Sequence, residues 1–339
     1  MKDITLSMFR LLNHFDTHIP YTNYVVSPLL LNQQYNILRL LSQGETKQNI
    51  IRKLFNYDPM RTKLIKKSLS KLDRIKKYGR ISNQTSLWVP YNCDIPREVL
   101  QYLMLANIKY NYIVNRQSIN FWSEEQSGGV IKKVCSAPRN NAILTSISIF
   151  DYSFNLLFRN PYFFKSGFQY NKQTYEVDYI SKIGKFNISE TEHYQILRLV
   201  LKDGSFFLKI FLPKTEMLVS NIPYKVKFLK KEVRINLPII DSISKIKLSD
   251  LITFDGIEIS DFDLKDSIIK TSLNLFYGKT TKKQKIIDRI EQRLIPISFN
   301  ACKPFYYSIE DKRGNICYFG KYSHPSLLKS RSTACYYAK

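Results

Sequence analysis

Apolar residues recur at helical spacing through the first third of the chain and alternate with polar ones through much of the second half. LLLNQQYNILRLL (29–41) reads as a buried helix and GETKQNIIRKLF (44–55) as a second, with Thr46 placed to cap its N-terminus. In TKLIKKSLSKLDRIKK (62–77), Leu64, Ser68, Leu72 and Ile75 fall on one face and Lys63, Lys67, Lys71 and Arg74 on the other. The opening MKDITLSMFRLLNHF gathers Ile4, Met8, Leu11 and Leu12 on one face of an amphipathic helix. Beyond residue 80 the period changes. QTSLWV (84–89) and AILTSISIF (142–150) read as buried strands, and SINFWSEEQSGGVI (118–131) as a helix stopped by Gly128 and Gly129. YQILRLVL, SFFLKIFLP, KEVRINLP, KPFYYSIED and NICYFGKY, between 194 and 322, follow as strands. The last two are joined by a turn at Asp311–Asn315 that uses Gly314 where φ is positive. Helices first and many antiparallel strands after predict an α+β protein dominated by its sheets.

One segment breaks this pattern. GKTTKKQKIIDRIEQRLIP (278–296) lies between the strand-like TSLNLF (271–276) and KPFYYSIED (303–311). Loops of such length inside a compact domain are uncommon and usually functional or disordered.

The chain has 339 residues, 44% of them hydrophobic, enough for a sizeable core. No internal repeat and no Pro/Gly-rich linker divides it, so a single domain over residues 1–339 is expected. It holds no apolar run long enough to span a membrane. The first residues carry Asp3 and Arg10 without an apolar h-region, so no secretory signal is expected. Cys93, Cys135, Cys302, Cys317 and Cys335 are odd in number and scattered, which suggests free thiols in a reducing compartment. The sequons at Asn83 and Asn187 would matter only on a secretory route.

The formal net charge is +24. Basic residues spread along the whole chain, beside abundant Ile, Asn, Tyr and Phe. This fits the bias of an AT-rich genome better than a nucleic-acid-binding patch. No GxSxG, P-loop, GxGxxG, HExxH or CxxC occurs, and the four histidines are isolated. Neither an enzyme, a metal site nor a cofactor is expected.

Five segments, in order, resemble the serpins, and in particular the poxvirus serpins. NYVVSPLLLNQQYNILRLLSQGETKQNI (23–50) is similar to the family opening, with Ser27, Pro28, Gly44 and Thr46 in step. INFWSEEQSGGVIKKV (119–134) matches through Ile119, Asn120, Trp122 and Ile131, and AILTSISIFDYSFNLLF (142–158) through Leu144, Phe150 and Phe158. YQILRLVLKDGSFFLKIFLP (194–213) resembles a family strand pair. FNACKPFYYSIEDKRGNICYFGKYSHP (299–325) is the fullest match: Phe299, Ala301, Pro304, Phe305, Ile309, Asp311, Gly314, Ile316, Phe319, Gly320 and Pro325 fall in step.

The resemblance implies three β-sheets, eight or nine helices and an exposed reactive loop. It assigns residues of about 278–298 to that loop and about 326–339 to a C-terminal tail. Serpins resemble spring traps. A protease cuts the loop, which inserts as a new strand into the main sheet and carries the acylated protease with it. The commonest family spacing puts the scissile bond at Arg293–Leu294, which suits a trypsin-like protease. Arg289 and Asp288 are alternatives, Asp288 for a caspase-like target.

Insertion needs a hinge of small uncharged residues, because alternate side chains of a strand turn inward. The hinge here is Gly278, Lys279, Thr280, Thr281 and Lys282. With Arg293 at the cut, Lys282 and Asp288 both face inward, each at a cost of several kcal/mol if unpaired. The family's polar network in the opening region of the sheet aligns with Leu30, Ser146 and Ile269, and its Trp with Phe154, so that network is expected to be lost. Two readings follow: a suicide-substrate inhibitor of a host protease, or a non-inhibitory binding protein on the same scaffold. Helix 62–77 aligns with a helix that binds heparin in some members. Lys63, Lys66, Lys67, Lys71, Arg74 and Lys77 could grip a glycosaminoglycan there, or form a solvated face. A monomer in the cytoplasm of a host cell is expected, with secretion as the alternative.

Overall fold

The computed structural model describes residues 23–54, 79–137, 140–154, 162–202, 204–215, 226–251, 262–276 and 297–323, with 13, 16, 17, 222, 223 and 257–259. The helix expected at 62–77, the loop and the tail lie outside the described residues.

The predicted early helices are α1 (Pro28–Leu41) and α2 (Gly44–Leu54). α1 starts with Pro28 in its first turn, where the missing N–H costs nothing. α2 begins two residues before its predicted cap, so Thr46 lies inside the first turn rather than capping it. A third helix, α3 (Arg97–Ala106), was not evident from the pattern. It buries Val99, Leu103 and Ala106, while the apolar Met104 and Leu105 stay exposed and blur the stripe. α4 (Ser118–Ser127) ends where its glycines predict, with Gly128 left-handed at φ 56. A side chain there would also strike the Arg80 guanidinium, 2.6 Å from an ideal Cβ.

The fold is α+β, as the pattern predicts. The chain forms two compact units, Val25–Phe150 with Ile243–Ser272 and Asp151–Ser242 with Leu273–Lys339 as their main parts. The first holds most of a six-stranded sheet. Its strands are β2 (Gly79–Val89), β3 (Lys109–Tyr112), β4 (Ala142–Ser153), β10 (Asp241–Lys247), β11 (Glu258–Ile259) and β12 (Phe262–Phe276). They run in the order β10, β12, β4, β2, β3, with β11 on β12. Nine successive residues of β4 are buried, as expected of a strand covered on both faces. Ile143, Ile147, Ile149, Trp88 and Ile268 form one face, packed against Ile119 of α4 and Ile131, Val134 and Ala137 of the segment that follows it. That segment, 130–137, is a strap across β2, β4 and β12. Alternate residues turn to the opposite face, where α1 sits.

The second sheet has nine strands in the order β1 (Tyr24–Val26), β15 (Ile316–Tyr322), β14 (Phe305–Asp311), β8 (Phe206–Pro213), β7 (Tyr194–Val200), β6 (Gln173–Glu190), β9 (Leu229–Pro238) and β13 (Ser298–Asn300), with β5 (Tyr162–Tyr170) on β6. β14 pairs antiparallel with β8 and β15, and the β14–β15 turn puts Gly314 at φ 79 as predicted. β6 runs for 18 residues. It pairs with β5, β7 and β9, so partners on both sides hold a segment whose own alternation is weak.

Candidate functional site

The segment singled out by the sequence leaves the end of β12 at Phe276 and returns at Ser298 of β13. The hinge residues Gly278, Lys279, Thr280, Thr281 and Lys282 and the scissile candidates Asp288, Arg289, Arg293 and Leu294 lie outside the described residues. So do Lys63, Lys66, Lys67, Lys71, Arg74 and Lys77. The structure does place the segment's two anchors. β13 runs parallel to β9, with Ser298 opposite Arg234 and Phe299 opposite Ile235. β12 lies between β10 and β4.

The seam between β4 and β12 is held by side chains. Gln34 of α1 reaches it from below: its Nε2 donates to Ser146 Oγ at 2.9 Å and to the Ile268 carbonyl at 3.0 Å. Its Oε1 accepts from Ser267 Oγ at 2.7 Å. Ser146 Oγ lies 2.7 Å from Thr85 Oγ1, which also donates to Gln33 Oε1 at 3.4 Å. Gln34, Ser146 and Ser267 are fully buried. One amide thus bridges β4 and β12, and a hydroxyl pair extends the bridge to β2. Each such bond contributes about 1 kcal/mol net, and each partner left alone in the interior costs about 1–3 kcal/mol.

This corrects the expected loss of a polar network. Leu30 and Ile269 are buried apolar residues, and Phe154 is buried and bridges Leu201. Ser146 is the aligned position that stays polar and bonded. The glutamines next to one another in α1 supply what Leu30 and Ile269 cannot. The signal was present in the sequence as two adjacent amides within an otherwise buried helical stripe. It could not be read there, because their partners lie 52 to 234 positions away.

β12 carries further buried polarity toward the end that enters the loop. Among the described residues, Thr271 Oγ1, Ser272 Oγ and Asn274 Oδ1 are buried without a hydrogen-bond partner. On the other face, Trp88 Nε1 donates to Thr145 Oγ1 at 2.9 Å beneath the strap. The strap is fastened to α4: Val134 N donates to Asn120 Oδ1 at 2.8 Å, and Ile131 N to Ser127 Oγ at 2.8 Å. Lys270 Nζ of β12 donates to the Lys133 carbonyl. Asp266 lies on the same face and accepts from the Ser267 and Ser249 backbone N–H groups at 2.7 and 3.3 Å. Burial raises its carboxyl above the ordinary range, against the pull of those bonds and of Lys247.

Among the described residues no group of three His, Cys, Asp or Glu side chains could hold a metal ion, and no helix is long and apolar enough to cross a membrane. Among the described residues, Cys93, Cys135, Cys302 and Cys317 form no disulfide.

Comparison with known proteins adds three findings. A family model described as serpin (serine protease inhibitor) matches residues 2–325. No curated protein sequence matches the chain. Solved structures with the same fold include uncleaved ovalbumin, with 16% identity and a TM-score of 0.78 over 95% of this chain and 99% of that one. They also include native protease nexin-1 with heparin (16% identity, TM-score 0.76, 94% and 97% covered). A third is Serpin48 of the insect Tenebrio molitor, described as a highly specific serpin (18% identity, TM-score 0.72, 94% and 97% covered).

Proposed function

We propose, since the chain belongs to the serpin family, that its segment 278–298 is bait for a trypsin-like protease, cut at Arg293–Leu294. The observation that carries this reading is the state of β12. The strand that feeds the loop carries Thr271, Ser272 and Asn274 in its last six residues, each with a buried polar atom lacking a described partner. A sheet with such groups in its interior gives up about 1–3 kcal/mol for each. A new strand beside β12 would bring further polar groups to it, and inward-facing Thr280 and Gln284 are of that kind. The β4–β12 seam, bridged by the Gln34 amide and closed by hydroxyls, can part at the cost of a few hydrogen bonds rather than a hydrophobic core. Resemblance to poxvirus serpins makes a host protease in the cytoplasm of an infected cell the expected target, with action after secretion as the alternative.

A second reading rests on the charged hinge. Burying Lys282 and Asp288 costs several kcal/mol each, comparable to what the orphan groups of β12 would recover. On this reading the loop is cut but does not insert, and the scaffold acts by binding. Its partner would be a glycosaminoglycan held by Lys63, Lys67, Lys71 and Arg74, a ligand class supported by the heparin-bound relative.

The deciding experiment is a single proteolytic cut within 279–294 followed by thermal melting and by denaturing electrophoresis with the protease. A cut protein that melts tens of degrees higher, with a covalent complex that survives boiling in detergent, is the expected result. An unchanged melting temperature with no complex overturns the inhibitor reading and leaves the binding one.

A further inference from the structure

The strap 130–137 presents two opposite sides. Ile131, Val134 and Ala137 turn down into the sheet and are buried, whereas Lys132 and Lys133 are exposed. On β10 the same alternation buries Ser244 and Ile246 and exposes Lys245 and Lys247. On β12 it sets Asp266, Ile268 and Lys270 on the face under the strap, and Lys270 Nζ donates to the Lys133 carbonyl. Cys135, half-buried in the strap, marks how close these elements are. Both Lys245 and Lys247 act on its thiol, although burial outweighs them and pushes it up to about 11. The carboxylate that acts on it is Asp266, which already accepts two backbone N–H groups.

Five lysines therefore lie on or beside one strap, and the carboxylate that acts among them, Asp266, is already bonded to two backbone N–H groups. Among the described residues, none of Lys132, Lys133, Lys245 and Lys247 is ion-paired within 4.0 Å. Like charges so placed repel one another, a cost that a shared anion offsets. All five are ammonium groups. They meet an oxyanion as mobile point charges and lack the planar fork that selects a particular phosphate geometry. Lys245 and Lys247 are two residues apart on one strand, roughly 7 Å. That spacing suits a chain bearing successive charges better than one small ion.

We propose that Lys132 and Lys133 of the strap, with Lys245, Lys247 and Lys270 of the sheet, bind a sulfated polysaccharide, which ties the strap down over β12. The site is separate from helix 62–77 and does not depend on whether the loop inserts. A ligand that bridges strap and sheet binds the closed sheet and stabilises it by mass action.

The test uses the full chain, a heparin-derived octasaccharide as the sulfated probe, and a single-stranded oligonucleotide of equal charge. The variant carries Lys132→Gln, Lys133→Gln, Lys245→Gln and Lys247→Gln. A control of the same net charge carries Lys172→Gln, Lys185→Gln, Lys230→Gln and Lys312→Gln, all at exposed positions. In the variant, octasaccharide affinity should fall about tenfold or more, and the logarithmic salt slope should shrink by about three units. The control should lose less than about threefold, and the probe should raise the melting temperature of the control but not of the variant. Equal losses in both proteins would reduce the effect to net charge and overturn the site. So would unchanged binding in the variant, or removal of all binding by Lys63→Gln, Lys67→Gln and Lys71→Gln. Tighter binding of the oligonucleotide than of the octasaccharide would overturn the ligand class.

Discussion

Tyr307 of β14 stands opposite Gly320 of β15, and its ring fills the space a side chain at 320 would need. An ideal Cβ on Gly320 would lie 2.2 Å from Tyr307 Cζ and 2.4 Å from its hydroxyl oxygen. The glycine that falls in step with the family pattern is therefore required by a close approach, not by a turn. Tyr307 is almost completely buried, and burial holds its hydroxyl well above the ordinary tyrosine range. Gly320→Ala should cost about 3 kcal/mol in urea denaturation, at the upper end for overpacking. Adding Tyr307→Leu should return part of that loss, so the double variant would be more stable than the sum of the single changes. Strict additivity would show that the clash is not the cause.

Gln34→Met keeps the volume of the side chain but removes the bridge between β4 and β12. It leaves Ser267 without its acceptor and takes one donor from Ser146, which retains Thr85. The expected loss is about 2–4 kcal/mol, and Ser146→Ala alone should cost about 1 kcal/mol. Comparing chemical denaturation of the two variants checks the order. A Gln34→Met loss no larger than that of Ser146→Ala would mean the amide does not carry the seam.

Asp266 sets a pH dependence whose sign can be worked out. Its folded carboxyl titrates above the ordinary value of 3.8, chiefly through burial. The folded state therefore holds a proton that the unfolded chain has released, and stability falls as pH rises through the window above 3.8. Asp266→Asn keeps an acceptor for the Ser249 and Ser267 N–H groups and cannot ionise. The variant should match the parent near pH 3.8 and exceed it by a growing margin until Asp266 is fully ionised. Melting temperatures across that range test it, and a constant difference would rule out this titration.

Arg293→Ala should abolish cleavage of the loop by a trypsin-like protease between residues 293 and 294 while leaving the melting temperature of the uncut protein unchanged. Mass spectrometry of the fragments gives the answer directly. Cleavage that persists after Arg289 in both proteins would move the bait to that residue, and cleavage after Asp288 by a caspase-like enzyme would move it there.

Local rules carried much of the fold. α1, the end of α4 at Gly128, and the hairpin around Gly314 follow from helical spacing, a left-handed cap and a turn glycine. α3 escaped because Met104 and Leu105 put apolar groups on its solvent side. β6 escaped because its partners, not its own alternation, define it. The family itself was legible from ordered motifs such as 299–325, whose residues are tied to close packing and tight turns.

The sequence by itself determined the fold class and the charge of the hinge, because these depend on period and composition, and the resemblance of its ordered motifs pointed to the family. Tertiary structure alone decided how the sheet is held shut. A glutamine in a helix can bond any buried hydroxyl that folding brings within reach. Gln34 finds Ser146 and Ser267 only because α1 packs beneath the seam of β4 and β12, with 112 and 233 residues of chain between the partners. Lys133 and Lys270 meet for the same reason, across 137 residues.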